Sequence, residues 1–257
     1  MIGLCVDSNS QLPPSLADRF GMVVVPISVT IDGVDYLEGV DITAAEFYAA
    51  WENGQTPTIS TSQPSPGQFV TAYQQLVDAG ATEILSIHVA EAMSGTLNSA
   101  RVAARSATVP VTLVDSGTAS FGISCCAWAA ADAVAAGASI DEAARIAGAR
   151  SSALGSSFIV GIPQLAERSG RAVGAGVEAA ASVGIPVLSM AGSDIAVLDT
   201  VTTVDAAVTA MADYALGWTP SSPDGLRVAI GTSDVSSGVV AAALTEALSG
   251  HSALAEA

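Results

Sequence analysis

The chain has 257 residues, half of them hydrophobic, and sets 8 basic against 25 acidic side chains for a formal net charge of −17. A surface that acidic repels phosphate backbones and anionic lipid head groups, which argues against nucleic acid or a membrane as partner. All eight basic residues are arginine, so Schiff-base chemistry and the phosphate-gripping lysines of P-loops and kinases are excluded.

The predicted elements alternate strand and helix, the pattern of a parallel α/β sheet. Residues 2–6 read as a buried strand ending at Asp7-Ser8-Asn9-Ser10, and Pro13-Pro14 opens a helix through Phe20. Residues 22–31 read as one β-branched strand, followed by an Asp32-Gly33 hairpin turn and a return over 34–37. Thr43 with Glu46 forms a capping box for a helix to about Trp51; Ser65, Pro66 and Gln68 open another that runs to about Gly80. A strand over 83–89, a helix from Ser94 to about Ser106, and a strand over 109–114 follow, then helices over 120–136 and 139–149.

The texture turns to Ser/Ala/Gly near residues 151–157, which places a domain boundary between 1–155 and 156–257. Beyond it, strands are expected at 158–162, 185–190, 195–200 and 227–231. Helices are expected at 163–170, 204–216 and 238–248.

Two polar patches interrupt this apolar chain: Thr61-Ser62-Gln63-Pro64-Ser65-Pro66-Gly67 and Ser94-Gly95-Thr96. Each places hydroxyls and unpaired N–H groups where a helix begins, and helix N-termini attract anions. Capping accounts for Ser65 and Pro66. Thr61 and Ser62 precede the cap, and they stand open between turn chemistry and ligand contact. The same two readings hold for Ser94, Gly95 and Thr96. A loop that leaves a parallel strand to open a helix is nonetheless where open α/β sheets bind ligands.

Other features read more plainly. His88 reads as a satisfied core or interface histidine, with a His88–Ser94 nucleophile pair as the enzymatic alternative acting on a phosphorylated or carboxylated metabolite. No Gly-x-Ser-x-Gly elbow surrounds Ser94. Asp32, Asp35, Glu38 and Asp41 lack the glycine and glutamate placement of a calcium loop and read as a solvated hairpin. Gly174-x-Gly176 lacks the third glycine of a dinucleotide fingerprint, and the two histidines and three cysteines have no zinc-ligand spacing. No cofactor is expected. The odd cysteine count and the lack of an 18-residue apolar run point to a reduced, cytoplasmic protein without stable membrane insertion.

The series Asp7-Ser8, Val25-Pro26, Asp32-Gly33, Thr61-Ser62-Gln63-Pro64-Ser65-Pro66-Gly67, Ser86-Ile87, Ser94-Gly95-Thr96, Asp115-Ser116 and Ser169-Gly170-Arg171 resembles the DegV family of bacterial fatty-acid-binding proteins in order and spacing. The resemblance implies a two-domain α/β fold: an N-terminal parallel-sheet domain and a C-terminal α/β domain with a mixed sheet. A long-chain fatty acid, C14–C20, would lie between them, its acyl chain buried in the N-terminal domain. Thr61 or Ser62 and Ser94 would hold the carboxylate, and Arg171 takes the position of a family arginine near the head group. It further implies a non-enzymatic carrier that presents the acid to a separate fatty acid kinase subunit. The family's closing His-Thr-Gly-Pro-Gly-like segment has no match here, since His251 lies in Ser249-Gly250-His251-Ser252.

Overall fold

The computed structural model describes residues 1–50, 56–159, 176–218, 226–232 and 237–251. Contacts divide the chain into two compact units, Met1–Leu154 and Gly155–Ala257.

In chain order the first unit contains β1 (Ile2–Asp7), α1 (Pro14–Phe20), β2 (Val23–Val25), β3 (Ser28–Ile31), β4 (Val34–Leu37), α2 (Ala44–Ala49), β5 (Ile59–Ser62), α3 (Pro66–Asp78), β6 (Glu83–His88), α4 (Thr96–Ala104), β7 (Val111–Asp115), α5 (Phe121–Ala135) and α6 (Ile140–Arg150). Four strands form a parallel sheet in the order β2-β1-β6-β7.

Side-chain alternation assigns the two faces of that sheet. Leu4, Val6, Leu85 and Ile87 pack with Ile123, Ala127, Ala143 and Ala147 of α5 and α6. Cys5, Val25 and Ile84 pack with Phe69, Ala72, Tyr73, Leu76, Ala100 and Ala103 of α3 and α4. Both faces are covered by helices rich in alanine, whose small side chains let helix and sheet approach closely. Five alanines of α5 and α6 (Ala127, Ala130, Ala131, Ala143 and Ala147) are buried against the sheet in this way.

The expected single strand over 22–31 is instead two strands in two sheets. Pro26 cannot donate to a ladder, so the chain leaves the parallel sheet after Val25 and re-pairs from Ser28. β3 pairs antiparallel with β4 on one side and β5 on the other. The β3–β4 turn places both Asp32 (φ 48°) and Gly33 (φ 83°) in the left-handed region. That is the backbone of the primed turns that match strand twist. The Gln68 side chain, already closing its capping box with Ser65, also donates to the Pro26 carbonyl at 3.0 Å. The start of α3 is thus fastened to the point where the chain changes sheet.

The second unit contains β8 (Ser156–Ile159), α7 (Val177–Ala181), β9 (Ile185–Ala191), β10 (Asp194–Val201), α8 (Val204–Gly217) and α9 (Gly238–Leu248). Its strands run in the order β10-β9-β8. Where a mixed sheet is expected, the described strands pair antiparallel throughout. Residues 227–231, expected as a strand, lie outside every strand. The expected helix at 163–170 lies outside the described residues. Thr203 caps α8 by accepting from the Ala206 N–H at 3.2 Å. Val187, Ala207 and Met211 form the core between sheet and helix.

Candidate functional site

The connectivity of the parallel sheet fixes where a ligand crevice opens. From β1 the chain moves to β2 on one side, then enters β6 on the other, so strand order reverses between β1 and β6. Open α/β sheets bind ligands outside the carboxyl ends of the strands at such a switch point. Two loops meet there: the 3-10 turn Ser8–Ser10 after β1, and residues 89–95 between β6 and α4.

The second loop carries Ser94, Gly95 and Thr96. The helix cap is Gly95, which has no side chain to cap with, so the helix expected from Ser94 begins at Thr96 and Ser94 stands one residue ahead of the cap. Its hydroxyl accepts from the Thr96 N–H at 3.3 Å and lies 2.9 Å from the Thr96 hydroxyl. Thr96 is buried, whereas Ser94 keeps partial access to solvent. The two hydroxyls therefore present one accessible oxygen at the N-terminus of a nine-residue helix.

The first patch begins as a strand. Thr61 and Ser62 belong to β5, with Thr61 opposite Val29 and Ser62 opposite Ser28. Adjacent strand residues face opposite sides. Thr61 shares its face with Ile59, buried Val29 and Tyr36; Ser62 shares the other with Ser28, Ser60 and Thr30. The Thr61 face is largely apolar, with the Tyr36 hydroxyl as its other polar group; the Ser62 face is a row of hydroxyls flanked by Asp35 and Leu37.

Gln63 joins the two patches. Its side-chain amide donates to the Ser99 hydroxyl on α4 at 3.0 Å. A β-carbon on Gly95 would overlap Gln63 Oε1 and lie 2.8 Å from its Cδ. The carboxamide thus rests directly on the Gly95 backbone, so the strand that bears Thr61 and the helix that bears Ser94 are neighbours.

Beneath this surface lies a polar array on the α3 face of the sheet. His88 Nδ1 is 3.0 Å from Asp7 Oδ2, His88 Nε2 meets the Ser86 hydroxyl, and Ser86 Oγ is 3.0 Å from the Tyr73 hydroxyl. Asp7 also accepts from the N–H groups of Asn9 and Val89, each at 3.1 Å. The Phe69 ring stands edge-on to His88 at 5.0 Å. The connectivity Ser–His–Asp is that of a nucleophile triad. But Ser86, His88 and Asp7 are each 0% exposed, so the serine meets no substrate. Both ring nitrogens of His88 are committed, and neither contacts Ser94, which removes the geometry that the enzymatic alternative requires.

The same burial controls the thiols and the phenol. Burial pushes Cys5 up to about 12, with the Ser86 hydroxyl pulling it down and the Asp7 charge adding to the rise. Burial likewise raises Tyr73, helped by Cys5 and opposed by Ser86. Cys126 is pushed up to about 12 by burial and by Cys125, against the pull of Arg150. None of these groups supplies a nucleophile near neutrality.

The acidic hairpin is an anchored element. Asp32 accepts from the Thr58 N–H at 2.8 Å, Asp35 from the Thr30 hydroxyl at 2.6 Å, and Asp41 from the Leu37 N–H at 2.9 Å. Glu38 accepts from the Ser8 hydroxyl, whose oxygen accepts from the Ile27 N–H at 3.0 Å. Burial raises the Glu38 carboxyl above its ordinary value, Ser8 lowers it, and the Asp7 charge raises it further. Among the described residues no cluster could hold a metal ion, and no helix is long and apolar enough to cross a membrane. Arg171 and Gly174 lie outside the described residues.

Sequence reasoning gave roles to Ser94 and His88 but none to Asp7, Ser86, Tyr73 or Gln63. Asp7 and Gln63 stood in quoted motifs. A carboxylate ending a buried strand, and a glutamine between two hydroxyl runs, were the available signals.

Against this geometry, a family model described as "uncharacterised protein, DegV family" matches residues 1–255. The chain belongs to the DegV family. A DegV domain-containing protein from Streptomyces coelicolor is 30% identical over 228 residues, spanning 88% of this chain and 80% of the relative. A solved structure described as fatty acid binding of a DegV family protein from Thermus thermophilus superposes with a TM-score of 0.80 at 25% identity. It covers 99% of this chain and 90% of that one. A stearic acid-binding protein from Eubacterium ventriosum shares the fold, with a TM-score of 0.77 at 22% identity over 85% of this chain and 76% of that one.

Proposed function

We propose that this DegV protein is a carrier for a long-chain fatty acid of C14–C20. Thr61 and Ser94 hold the carboxylate, with Gly95 and Thr96 completing the α4 terminus. Arg171 supplies the full positive charge, and the acyl chain is buried in the first unit. What supports the reading is one observation: the strand bearing Thr61 abuts the helix terminus bearing Ser94, beside the β1/β6 switch point. The Thermus thermophilus relative, described by its fatty acid binding, gives the ligand class.

The energetics agree. About 15 buried methylenes at ~0.8 kcal/mol each offer roughly 12 kcal/mol before association and ordering costs. Affinity then resides in the tail, while hydroxyls and N–H groups orient the head. A protein that fixes a carboxylate beside a helix terminus, with its Ser86–His88–Asp7 array fully buried, suits presentation to a separate fatty acid kinase in the cytoplasm.

The deciding experiment extracts the purified protein into organic solvent for mass spectrometry, then adds oleate to delipidated protein during a thermal melt. The expected result is a C14–C20 acid at near-stoichiometric amount and a raised melting temperature. Polar metabolites alone, without stabilisation by oleate, would overturn the proposal. Arg171→Ala should weaken oleate far more than methyl oleate; equal losses would remove Arg171 from the site.

A further inference from the structure

The Gln63 carboxamide and Gly95 fit each other in a way that neither capping nor ligand contact explains. Gly95 has φ −76° and ψ 5°, a backbone any residue adopts, so the glycine is not there for its conformational freedom. What a side chain at 95 would lack is room, because Gln63 occupies it. The amide, meanwhile, spends its N–H on Ser99, a residue only 3% exposed and one turn further along α4. Gln63 itself directly follows β5 and ends its run of hydroxyls.

Resting on the fatty-acid reading above, we propose that Gln63 is a positioning residue. It seats on the bare backbone of Gly95 and sets the spacing between the Thr61 hydroxyl and the α4 terminus, so that both reach one carboxylate. Gly95 serves as the seat. Two donors converge on one carboxylate only if the elements that carry them are held at a fixed separation, and a misplacement of about 1 Å is enough to lose such a site. Among the described residues the β5 ladder runs to β3 alone and the Ser94 hydroxyl turns back to Thr96, while Gln63, just beyond β5, reaches α4. Gln63 is a surface side chain, so a methyl at 95 displaces it without crowding a core. Its loss therefore registers in head-group binding more than in folding.

The test compares oleate with methyl oleate on the full chain, as wild type and as Gln63→Ala, Gly95→Ala and the double variant. Thermal melts confirm that each variant is folded. Either single substitution should weaken oleate about tenfold, the scale of one charge-assisted hydrogen bond, while methyl oleate changes little. With Gln63 already truncated, Gly95→Ala should cost nothing further, because the methyl then displaces no amide. Equal losses for acid and ester, or additive losses in the double variant, would overturn the proposal and leave the carrier reading intact. A wild-type protein that binds no fatty acid would sink both.

Discussion

Thr61 and Ser62 are chemically near-equivalent and adjacent, and they test whether strand geometry governs the site. Thr61 lies across from Val29 on the apolar face, and Ser62 lies across from Ser28 on the hydroxyl face. Only one of them can serve a carboxylate whose chain enters apolar surroundings. Thr61→Ala should weaken oleate by ~1.5–3 kcal/mol, the contribution of a hydrogen bond to a charged group. Ser62→Ala, an equally exposed substitution but on the opposite face, should stay within ~0.5 kcal/mol. Isothermal titration of the two variants decides the matter, and the opposite ranking would place the head group on the hydroxyl face. The sequence alone left the choice open, because alternation has meaning only once the residues are known to lie on a strand.

At the scale of elements, the hairpin of β3 and β4 carries a prediction that its turn chemistry dictates. Gly33 sits at φ 83° with no atom near its absent β-carbon, so Gly33→Ala meets strain and no clash. The cost should be about 1 kcal/mol, measured by urea unfolding. A larger loss would mean that the turn also fixes β5, because the neighbouring Asp32 accepts from Thr58 just ahead of that strand. The hairpin was readable because Asp-Gly between β-branched runs has one favoured backbone. The capping boxes of Thr43 and Ser65 were readable for the same reason: residue types at fixed offsets satisfy particular N–H groups. β5 was not readable. Ile59-Ser60-Thr61-Ser62 has too few apolar residues to announce a strand, and it forms because β3 offers an open edge. The break at Pro26 stood in the sequence, but its consequence, a change of sheet, depends on partners distant in the chain. The Gln63 seat was equally hidden, because it joins Gln63 to residues 32 and 36 positions further along the chain.

For the molecule as a whole, the buried thiols make stability fall in alkali. Cys5 and Cys126 ordinarily titrate near 9.0 but lie at about 12 when folded. Between those values the unfolded chain has lost protons that the folded chain keeps. Each thiol then lowers the free energy of unfolding by up to about 1.4 kcal/mol per pH unit as pH rises, and below pH 9 neither has any effect. Tyr73, raised in the same direction, adds to the slope at its upper end. Urea titrations from pH 8 to 11 should show this decline, and Cys5→Ala with Cys126→Ala should flatten it. A slope that survives both substitutions would locate the alkaline weakness elsewhere.

The Asp7 carboxylate accepts from Val89, one residue beyond the end of β6. A first loop amide normally trades its hydrogen for deuterium within seconds, since small openings reach it. Here the acceptor belongs to a different strand, is fully buried, and also grips His88 and Asn9. Freeing Val89 requires β1 and β6 to separate. Its deuterium uptake should therefore follow that of the central strands, while the Ala92 amide, on the exposed part of the same loop, exchanges early. The loop that delivers Ser94 would then have a stationary root and a mobile tip, so that movement at Ser94 leaves the sheet behind it undisturbed.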